Sequence, residues 1–328
     1  MNGEKWNMED LKDLAPSNFL HTTLSLMQYQ AKNNAVYSEW IQSMKLQLDK
    51  VKSLEQIPFL PIDLFKTHAI YTGTECPSFY FESSGTTQDI ASKHFVKDLR
   101  VYEESFMECF QQFYGAPQDY CILGLLPNYL ERQHSSLVYM TDRFIQASAN
   151  PNSGFYLYDF EKLNDTLNTL EKEHQKTLLI GVSYALMDFV DAYPQALNHT
   201  MVMETGGMKG RKQELTRPAL HAYLADGFGV QDIHSEYGMT ELLSQAYSKG
   251  GGIYACPPWM KVLVADESDP TALNATGRGV LHIIDLANFN SCAFIATEDI
   301  GIVHPDGSFE VLGRLDQSAR RGCSLLVV

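Results

Sequence analysis

The sequence predicts an α/β protein with mostly parallel sheets flanked by helices, followed by a smaller β-rich unit. Apolar runs at residues 120–126 and 177–182 alternate with amphipathic helical segments, and parallel strands need a crossover connection of that length. After Gly250 the alternation gives way to short strand-like runs joined by tight turns. Because 328 residues fit about two structural units, we expect an α/β core with N-terminal helices over residues 1–250. A β-rich subdomain and C-terminal tail would then occupy residues 251–328.

The first part of the chain is predicted to be mainly helical. Apolar residues recur at three- and four-residue steps through residues 18–51, which is typical of an amphipathic helix, and the pair Asn33-Asn34 marks a break. Two prolines then fix an extended segment, after which Asp63 is placed to cap a short helix. Residues 67–81 are strand-like.

The remaining elements follow from the same periodicities. Helices are predicted at residues 97–113, 135–146 and 161–174, and from residue 183 onward. Strands are predicted at residues 120–126, 155–159, 177–182, 201–204 and 231–234 in the core, and at residues 262–264, 279–284 and 308–312 in the β-rich unit.

Composition and charge exclude several classes of function. The net charge of −15 and the pI near 5.0 argue against binding to nucleic acid or to an anionic membrane surface, since both need clustered lysine and arginine. The sequence begins with no secretory signal, and no apolar run reaches the roughly 18 residues of a membrane span. The six cysteines form no CxxC pair, which gives little support to a zinc cluster and fits reduced thiols. We therefore expect a soluble, cytoplasmic protein.

A hydroxyl-rich loop follows the strand-like residues 79–81. Ser83, Ser84, Gly85, Thr86 and Thr87 offer hydroxyl donors around a glycine that can turn tightly, which suits a phosphate-binding loop. The loop is not the GxxxxGK[ST] nucleotide motif, because no lysine follows the glycine at that spacing. A solvated turn is the alternative interpretation.

Two further motifs lie where predicted strands end. Residues 201–204 break into Thr205-Gly206-Gly207, where paired glycines would let a flat ligand approach the backbone. Residues 231–234 break into a segment that contains Tyr237-Gly238-Met239-Thr240-Glu241. Ligands of open parallel sheets bind beyond the carboxyl ends of the strands, so these motifs and the hydroxyl loop are predicted to form one site.

The hydroxyl loop, the segment at residues 237–241, and Asp299 with Arg314 occur in an order that resembles the adenylate-forming superfamily of acyl- and aryl-CoA synthetases, luciferases and adenylation domains. The resemblance implies ATP and Mg²⁺ as cofactors. It also implies that Ser83, Ser84, Gly85, Thr86 and Thr87 would hold the β- and γ-phosphates, and that Thr240 would bond the α-phosphate while Glu241 would ligate Mg²⁺. Tyr237, beside Gly238, would lie against adenine, and Gly206 and Gly207 would line the adenine and acyl pocket. Asp299 would accept the ribose hydroxyls, and Arg314 would contact the ribose or phosphate edge.

Each of these residues also has a structural interpretation. Tyr237 could be a core aromatic residue, Glu241 a partner of a helix dipole, Asp299 a turn residue and Arg314 a member of a surface ion pair.

One branch of the superfamily is especially similar, the acyl-protein synthetases of the bioluminescence fatty-acid reductase complex (LuxE-like), near the phenylacetate-CoA ligases. The similar residues include the segments at 57–61, 92–96, 204–211 and 321–323. Other relatives continue into a mobile domain that carries a catalytic lysine, and we expect this chain to lack that domain because it stops twelve residues after Asp316. Gln88 and Glu298 also depart from the usual motifs, which have glycine there.

The resemblance implies a catalytic role for Cys323, because an acyl-AMP in that family passes its acyl group to a cysteine near the carboxyl end. A thiolate suits this transfer, although a cysteine without a role is the alternative. Lys209, with Arg211, could supply the charge of the missing lysine, and a surface-charge role is equally open.

The predicted function is therefore ATP-dependent activation of a carboxylic acid, expected to be a fatty acid, as acyl-AMP. The acyl group would pass to Cys323 and then to a protein partner, such as a reductase or a carrier. A ligase that uses coenzyme A or an acyl carrier protein is one alternative, and a non-catalytic acyl- or nucleotide-binding protein is another.

Overall fold

The computed structural model describes residues 6–84, 90–127, 132–206, 215–266, 269 and 272–315. Its helices are α1 (Glu9–Lys12), α2 (Pro16–Asn33), α3 (Ala35–Ser43), α4 (Leu64–Thr67), α5 (Leu99–Tyr114), α6 (Ser136–Ser148), α7 (Phe160–Lys172), α8 (Ser183–Ala192) and α9 (Arg217–Phe228), with short 3₁₀ helices at Leu48–Lys50, Leu54–Gln56, Pro117–Asp119 and Leu286–Asn290. Its strands are β1 (Leu60–Pro61), β2 (Tyr80–Glu82), β3 (Lys93–Phe95), β4 (Cys121–Leu125), β5 (Gly154–Phe155), β6 (Thr177–Val182), β7 (Thr200–Thr205), β8 (His234–Tyr237), β9 (Ala246–Ser248), β10 (Ile253–Tyr254), β11 (Met260–Ala265), β12 (Leu273–Asn274), β13 (Gly277–Asp285), β14 (Phe294–Val303) and β15 (Phe309–Arg314).

The first large sheet has the strand order β5-β4-β6-β7-β8-β9 and is parallel except for β9, which pairs antiparallel with β8. Strands β4 and β6 are buried along their whole length, as apolar strands covered on both faces should be. The predicted α/β class with mostly parallel strands is confirmed.

The second large sheet has the order β10-β15-β14-β13-β11-β12 and is antiparallel. It contains the predicted β-rich unit, but strand β1 from the N-terminal part pairs parallel with β14. Strands β2 and β3 form a separate antiparallel hairpin.

One apolar core joins the N-terminal helices to the second sheet, since Tyr37 of α3 stacks on Phe294 of β14. The same core continues to α5, α6 and one face of the first sheet. The other face of that sheet is covered by α7, α8 and α9, which form a second core. The domain boundary at residue 250 stays a prediction.

Polar contacts strengthen the join between the N-terminal helices and the second sheet. The Gln30 side chain is fully buried and donates to the carbonyl oxygens of Asn288, Phe289 and Ser291, while it accepts from the Ala293 backbone N–H at 3.0 Å. Every polar atom of this side chain thus has a partner on the loop between β13 and β14.

Several predicted boundaries are confirmed, and the caps give the reason. The predicted break at Asn33-Asn34 separates α2 from α3, and the Asn34 side chain caps α3 by accepting from the Tyr37 N–H at 3.0 Å. Asp63 does stand before α4, but its side chain makes no cap hydrogen bond and pairs instead with Lys66.

Three strand predictions were wrong in extent. Of residues 155–159 only Phe155 lies in a strand, since Asp159 already caps α7. Of residues 67–81 only the last two lie in β2, because Pro77 has no N–H to donate and the Thr72 and Gly73 amides bond to Asn290 and Asn33 instead of to a strand. The strand predicted at 231–234 begins at His234 and runs on to Tyr237, since it must pair with the carboxyl end of β7.

No helix in the described part of the chain combines the length and the hydropathy that crossing a membrane requires.

Candidate functional site

The base of the hydroxyl loop is closed by reciprocal hydrogen bonds. The Ser83 hydroxyl accepts from the Ser92 N–H at 2.9 Å, and the Ser83 N–H donates to the Ser92 carbonyl oxygen at 3.1 Å. Ser84 follows and is exposed. Gly85, Thr86 and Thr87 lie outside the described residues, so their phosphate-binding role stays a prediction.

Tyr237, Asp299 and Arg314 are brought together from three strands. The Tyr237 hydroxyl donates to Asp299 Oδ2 at 2.8 Å, and Arg314 Nε donates to Asp299 Oδ1 at 3.0 Å. Residues 299 and 314 are direct partners across the β14–β15 ladder, which fixes this ion pair. Asp299 therefore lies in a strand and not in a turn, and each of its oxygens keeps a lone pair for a further donor.

Exposure differs sharply across this group of three. Tyr237 and Asp299 are buried, whereas the Arg314 side chain is 69% exposed. Burial raises the pKa of the Tyr237 hydroxyl well above its usual value, and the neighbouring Asp299 charge adds to that shift. The tyrosine therefore stays a neutral donor, and the guanidinium is the most exposed part of the group.

Glu241 lies in the turn that follows β8, and no helix starts there, so the helix-dipole interpretation is wrong. Its side chain is buried, and burial raises the pKa of its carboxyl, opposed by a hydrogen bond with Ser92 and by the charge of Arg314. A buried carboxylate fits a site for Mg²⁺, which takes carboxylate oxygen and keeps several waters. Glu241 would hold the ion together with oxygens of the substrate.

No group of three or more histidine, cysteine, aspartate or glutamate side chains within the described ranges is arranged as a complete metal site.

Asp285, at the end of β13, accepts hydrogen bonds from the residues that follow the turn with Thr240 and Glu241. The buried Asp285 carboxylate accepts from the backbone N–H groups of Leu243 and Ser244, at 2.8 and 3.0 Å, and from the Ser244 hydroxyl. The Trp259 indole N–H also donates to the Ser244 hydroxyl, at 2.8 Å. Buried polar groups are tolerated here because each has a partner.

A second buried carboxyl, Glu236, lies one residue before the tyrosine. It accepts a short hydrogen bond from the Thr205 hydroxyl at the end of the neighbouring strand β7. Burial raises the pKa of Glu236 to about 7, and the charge of Glu204 contributes to the shift. A Cβ atom on Gly238 would come within 2.4 Å of Glu236 Oε1, so a larger residue there would require the Glu236 side chain to move.

Gly206 directly follows β7 and lies in the left-handed region, with φ of 69°. Its carbonyl oxygen accepts from the Ser183 hydroxyl at 2.7 Å. The adjacent Glu204 forms an ion pair with Arg217. Burial alone would raise the pKa of Glu204, but a hydrogen bond with His221 and the Arg217 charge outweigh it and lower that pKa. The glycine thus projects from a strand end that charged groups stabilise.

A surface cavity of about 380 Å³ lies away from these residues, against α7. Its charged lining residues are Asp159, Glu161, Lys162 and Asp165, whose net negative charge suits a polyphosphate poorly.

Comparison with known proteins assigns the chain to a family. The family model for the acyl-protein synthetase LuxE matches residues 5–328. The chain belongs to the LuxE family of acyl-protein synthetases. The predicted enzyme class, an acyl-adenylate-forming ligase, is confirmed with it.

Two relatives of this LuxE-family chain are long-chain-fatty-acid–luciferin-component ligases. The one from Vibrio harveyi is 21% identical over 359 aligned positions, which cover 98% of this chain and 89% of the relative. The one from Aliivibrio fischeri is 21% identical over 364 positions, covering 98% and 90%.

Solved structures with a similar fold are adenylate-forming ligases. 2-Hydroxyisobutyryl-CoA ligase, in complex with 2-HIB-AMP and CoA, superposes with a TM-score of 0.65 at 13% identity over 94% of this chain and 70% of that chain. ATP-bound MatB from Rhodopseudomonas palustris gives 0.53 at 16% identity over 72% of this chain. The aligned part is 47% of MatB, so this LuxE-family chain spans about half the length of that protein.

Of the residues that shape this LuxE-family site, four received no role from the sequence reasoning: Ser92, Glu236, Asp285 and Asn288. A signal was present for Asp285, because it is a carboxylate at the end of an otherwise apolar run, and a buried charge needs a partner. Gly207, Lys209 and Cys323 lie outside the described residues, and their roles stay predictions.

Proposed function

We propose that this chain uses ATP to activate a long-chain fatty acid as acyl-AMP and then transfers the acyl group to a thiol. The family match across residues 5–328 carries the proposal. The geometry supports it, because Tyr237, Asp299 and Arg314 form one cluster and the Glu241 carboxyl is near enough to be influenced by the charges of Asp299 and Arg314.

The first step is a displacement at phosphorus. An oxygen of the fatty-acid carboxylate forms a bond to the α-phosphorus of ATP, the bond from that phosphorus to the bridging oxygen breaks, and pyrophosphate leaves. Asp299 would accept the ribose hydroxyls, Thr240 would donate to the α-phosphate, and Glu241 would hold the Mg²⁺ that neutralises the phosphate charge.

The second step is acyl transfer. The Cys323 thiolate would attack the carbonyl carbon of the acyl-AMP, forming a thioester and releasing AMP. A protein partner would then receive the acyl group. Arg320 and Arg321 beside the cysteine would favour its thiolate form.

The test uses the full chain with radiolabelled palmitate, ATP and Mg²⁺. We expect acid-dependent exchange of pyrophosphate into ATP, followed by a palmitoyl mass on the peptide that contains Cys323. Cys323→Ser should retain exchange and lose the protein-bound acyl group, while Cys76→Ser, which changes an exposed cysteine, should retain both.

Three outcomes would count against parts of the proposal. Exchange absent with every fatty acid would overturn the activation step. Acylation that survives Cys323→Ser would overturn the role of that cysteine. Label that leaves the protein only when coenzyme A is added would favour a CoA ligase, which is the activity named for the structurally similar 2-hydroxyisobutyryl-CoA ligase.

A further inference from the structure

Two side chains from distant elements hold consecutive carbonyl groups of the turn after β8. His94 Nδ1, from β3, lies 2.8 Å from the Thr240 carbonyl oxygen. Asn288 Nδ2, from the 3₁₀ helix Leu286–Asn290, donates to the Glu241 carbonyl oxygen at 2.8 Å. Because a carbonyl oxygen only accepts, His94 must carry its proton on Nδ1.

Both side chains are fully buried. Burial lowers the pKa of His94 to about 4, against the opposing effects of Thr240 and Asn288, so the ring is neutral near pH 7. A neutral ring whose single N–H is committed to a carbonyl cannot serve as a general acid for a substrate. Its contribution is geometric.

His94 and Asn288 together form what we call the clamp, and each has one buried polar atom that does not contact the turn. His94 Nε2 and Asn288 Oδ1 are both buried, and neither has a hydrogen-bond partner within the described residues. Buried polar atoms without a hydrogen-bond partner are unfavourable, so their presence here needs a reason. The other polar atom of each side chain contacts a backbone carbonyl oxygen of the turn, that of Thr240 for His94 and that of Glu241 for Asn288.

Together with Asp285, the clamp holds the backbone of four of the five residues 240–244. Asp285 holds the amides of residues 243 and 244, and His94 and Asn288 hold the carbonyls of 240 and 241. The Glu241 carboxyl, by contrast, is influenced by Asp299 and Arg314. The backbone contacts therefore set where the side chains of the turn stand relative to Asp299.

We infer that His94 and Asn288 are positioning residues, which hold the backbone of residues 240 and 241 so that the Thr240 and Glu241 side chains keep a fixed place beside Asp299. The inference deepens the proposed function and rests on it, because a fixed turn matters for turnover only if that turn binds the nucleotide and the metal. A displacement of about 1 Å at such a group can cost about 100-fold in rate.

The test compares three substitutions in the full chain. His94→Leu removes the donor, His94→Asn keeps an amide N–H in the place of Nδ1, and His282→Leu is the control for loss of a buried histidine. His282 is equally enclosed, but its Nδ1 contacts the Val280 carbonyl oxygen of its own strand and not the turn.

The first readout is ATP–pyrophosphate exchange with palmitate. We expect His94→Leu to raise the KM for MgATP or lower kcat by at least about tenfold relative to His282→Leu at matched melting temperature. His94→Asn should recover most of that loss. The inference is overturned if His94→Leu and His282→Leu exchange equally well, or if His94→Asn is as impaired as His94→Leu.

The second readout does not depend on activity. Hydrogen–deuterium exchange in a peptide covering residues 238–244 should become at least several-fold faster in His94→Leu and Asn288→Leu, and stay unchanged in His282→Leu. If the unsubstituted protein shows no pyrophosphate exchange at all, the proposed function fails, and this measurement still decides whether the clamp exists. Unchanged protection in both clamp variants would refute it.

Discussion

Asp299 holds Tyr237 and Arg314 through the two oxygens of one carboxylate. Asp299→Asn keeps the shape but removes the charge that would accept ribose hydroxyls, and a hydrogen bond to a charged group contributes about 1.5–3 kcal/mol. We therefore expect the KM for ATP to rise by about 10- to 100-fold in pyrophosphate exchange. Asp306→Asn, in the turn after β14, is the control, since Asp306 accepts from Ser308 in its own turn. An unchanged KM in Asp299→Asn would contradict the ribose role.

Glu236 links stability to pH. Its pKa of about 7 in the folded protein lies above the usual 4.5, chiefly because it is buried. The folded state therefore binds the proton more tightly, so stability is fully present below about pH 4.5 and is lost as the pH rises to about 7. Glu236→Gln keeps a neutral side chain of the same size and removes this loss.

Urea unfolding at pH 5 and pH 8 tests the role of Glu236. Relative to the unsubstituted protein, Glu236→Gln should increase the free energy of unfolding by up to about 3 kcal/mol more at pH 8 than at pH 5. Glu39→Gln changes an exposed glutamate and should give the same difference at both pH values. An equal effect of Glu236→Gln at the two pH values would show that the buried carboxyl does not titrate in this range.

At the residue scale, the sequence predicted which residues lie in the candidate site better than it predicted the contacts that these residues make. Tyr237, Glu241, Asp299 and Arg314 were all named from motif order, and the structure gathers them. The motif could not reveal that Glu236 is bonded to Thr205, because that contact depends on the register of β7 against β8, and register is set by the packing of the whole sheet.

At the scale of elements, β8 and the turn after it are locked by the contact between Glu236 and Gly238. A methyl group on Gly238 would meet Glu236 Oε1 at 2.4 Å, and overpacking of this kind costs about 1–3 kcal/mol. Gly238→Ala should therefore lower the free energy of unfolding by that amount, measured by urea titration. Gly154→Ala, whose new atom would make an ordinary contact at 3.7 Å, should change it by less than about 0.5 kcal/mol.

A double substitution identifies the cause. If the clash with the carboxyl is responsible, Gly238→Ala should cost less in a Glu236→Ala background than in the native one. Equal costs in both backgrounds would rule out the Glu236 contact as the reason for glycine at this position.

The elements themselves were predictable where their periodicity was strong. Strand β6 has the predicted bounds of 177–182, and α5, α6 and α7 lie within about two residues of prediction. Strand β14 was not predicted as a strand, because its Thr297-Glu298-Asp299 segment looks like a polar turn. Its buried and half-buried residues alternate because one face of the strand packs on the core. The Asp299 carboxylate can be buried in this strand because it has two hydrogen-bond partners.

At the scale of the whole molecule, Gln30 ties the N-terminal helices to the loop that carries Asn288. Gln30→Met would leave several buried carbonyl oxygens and the Ala293 N–H without partners, and such losses cost about 1–3 kcal/mol. We expect the midpoint of urea unfolding to fall accordingly. Gln42→Met, on the exposed face of α3, should shift the midpoint little. An equally small shift for Gln30→Met would show that the hydrogen bonds of Gln30 do not contribute to stability.

The pairing of the N-terminal segment with the second sheet also has a consequence for synthesis of the protein. Gln30 and Asn288 are 258 residues apart, and β1 pairs with residues 295 and 296. At roughly 5–20 residues per second, a ribosome needs tens of seconds between making the helix and making its partner. Helices α2 and α3 therefore emerge with their apolar faces uncovered for that time. These contacts with the second sheet can therefore form only when translation is nearly finished.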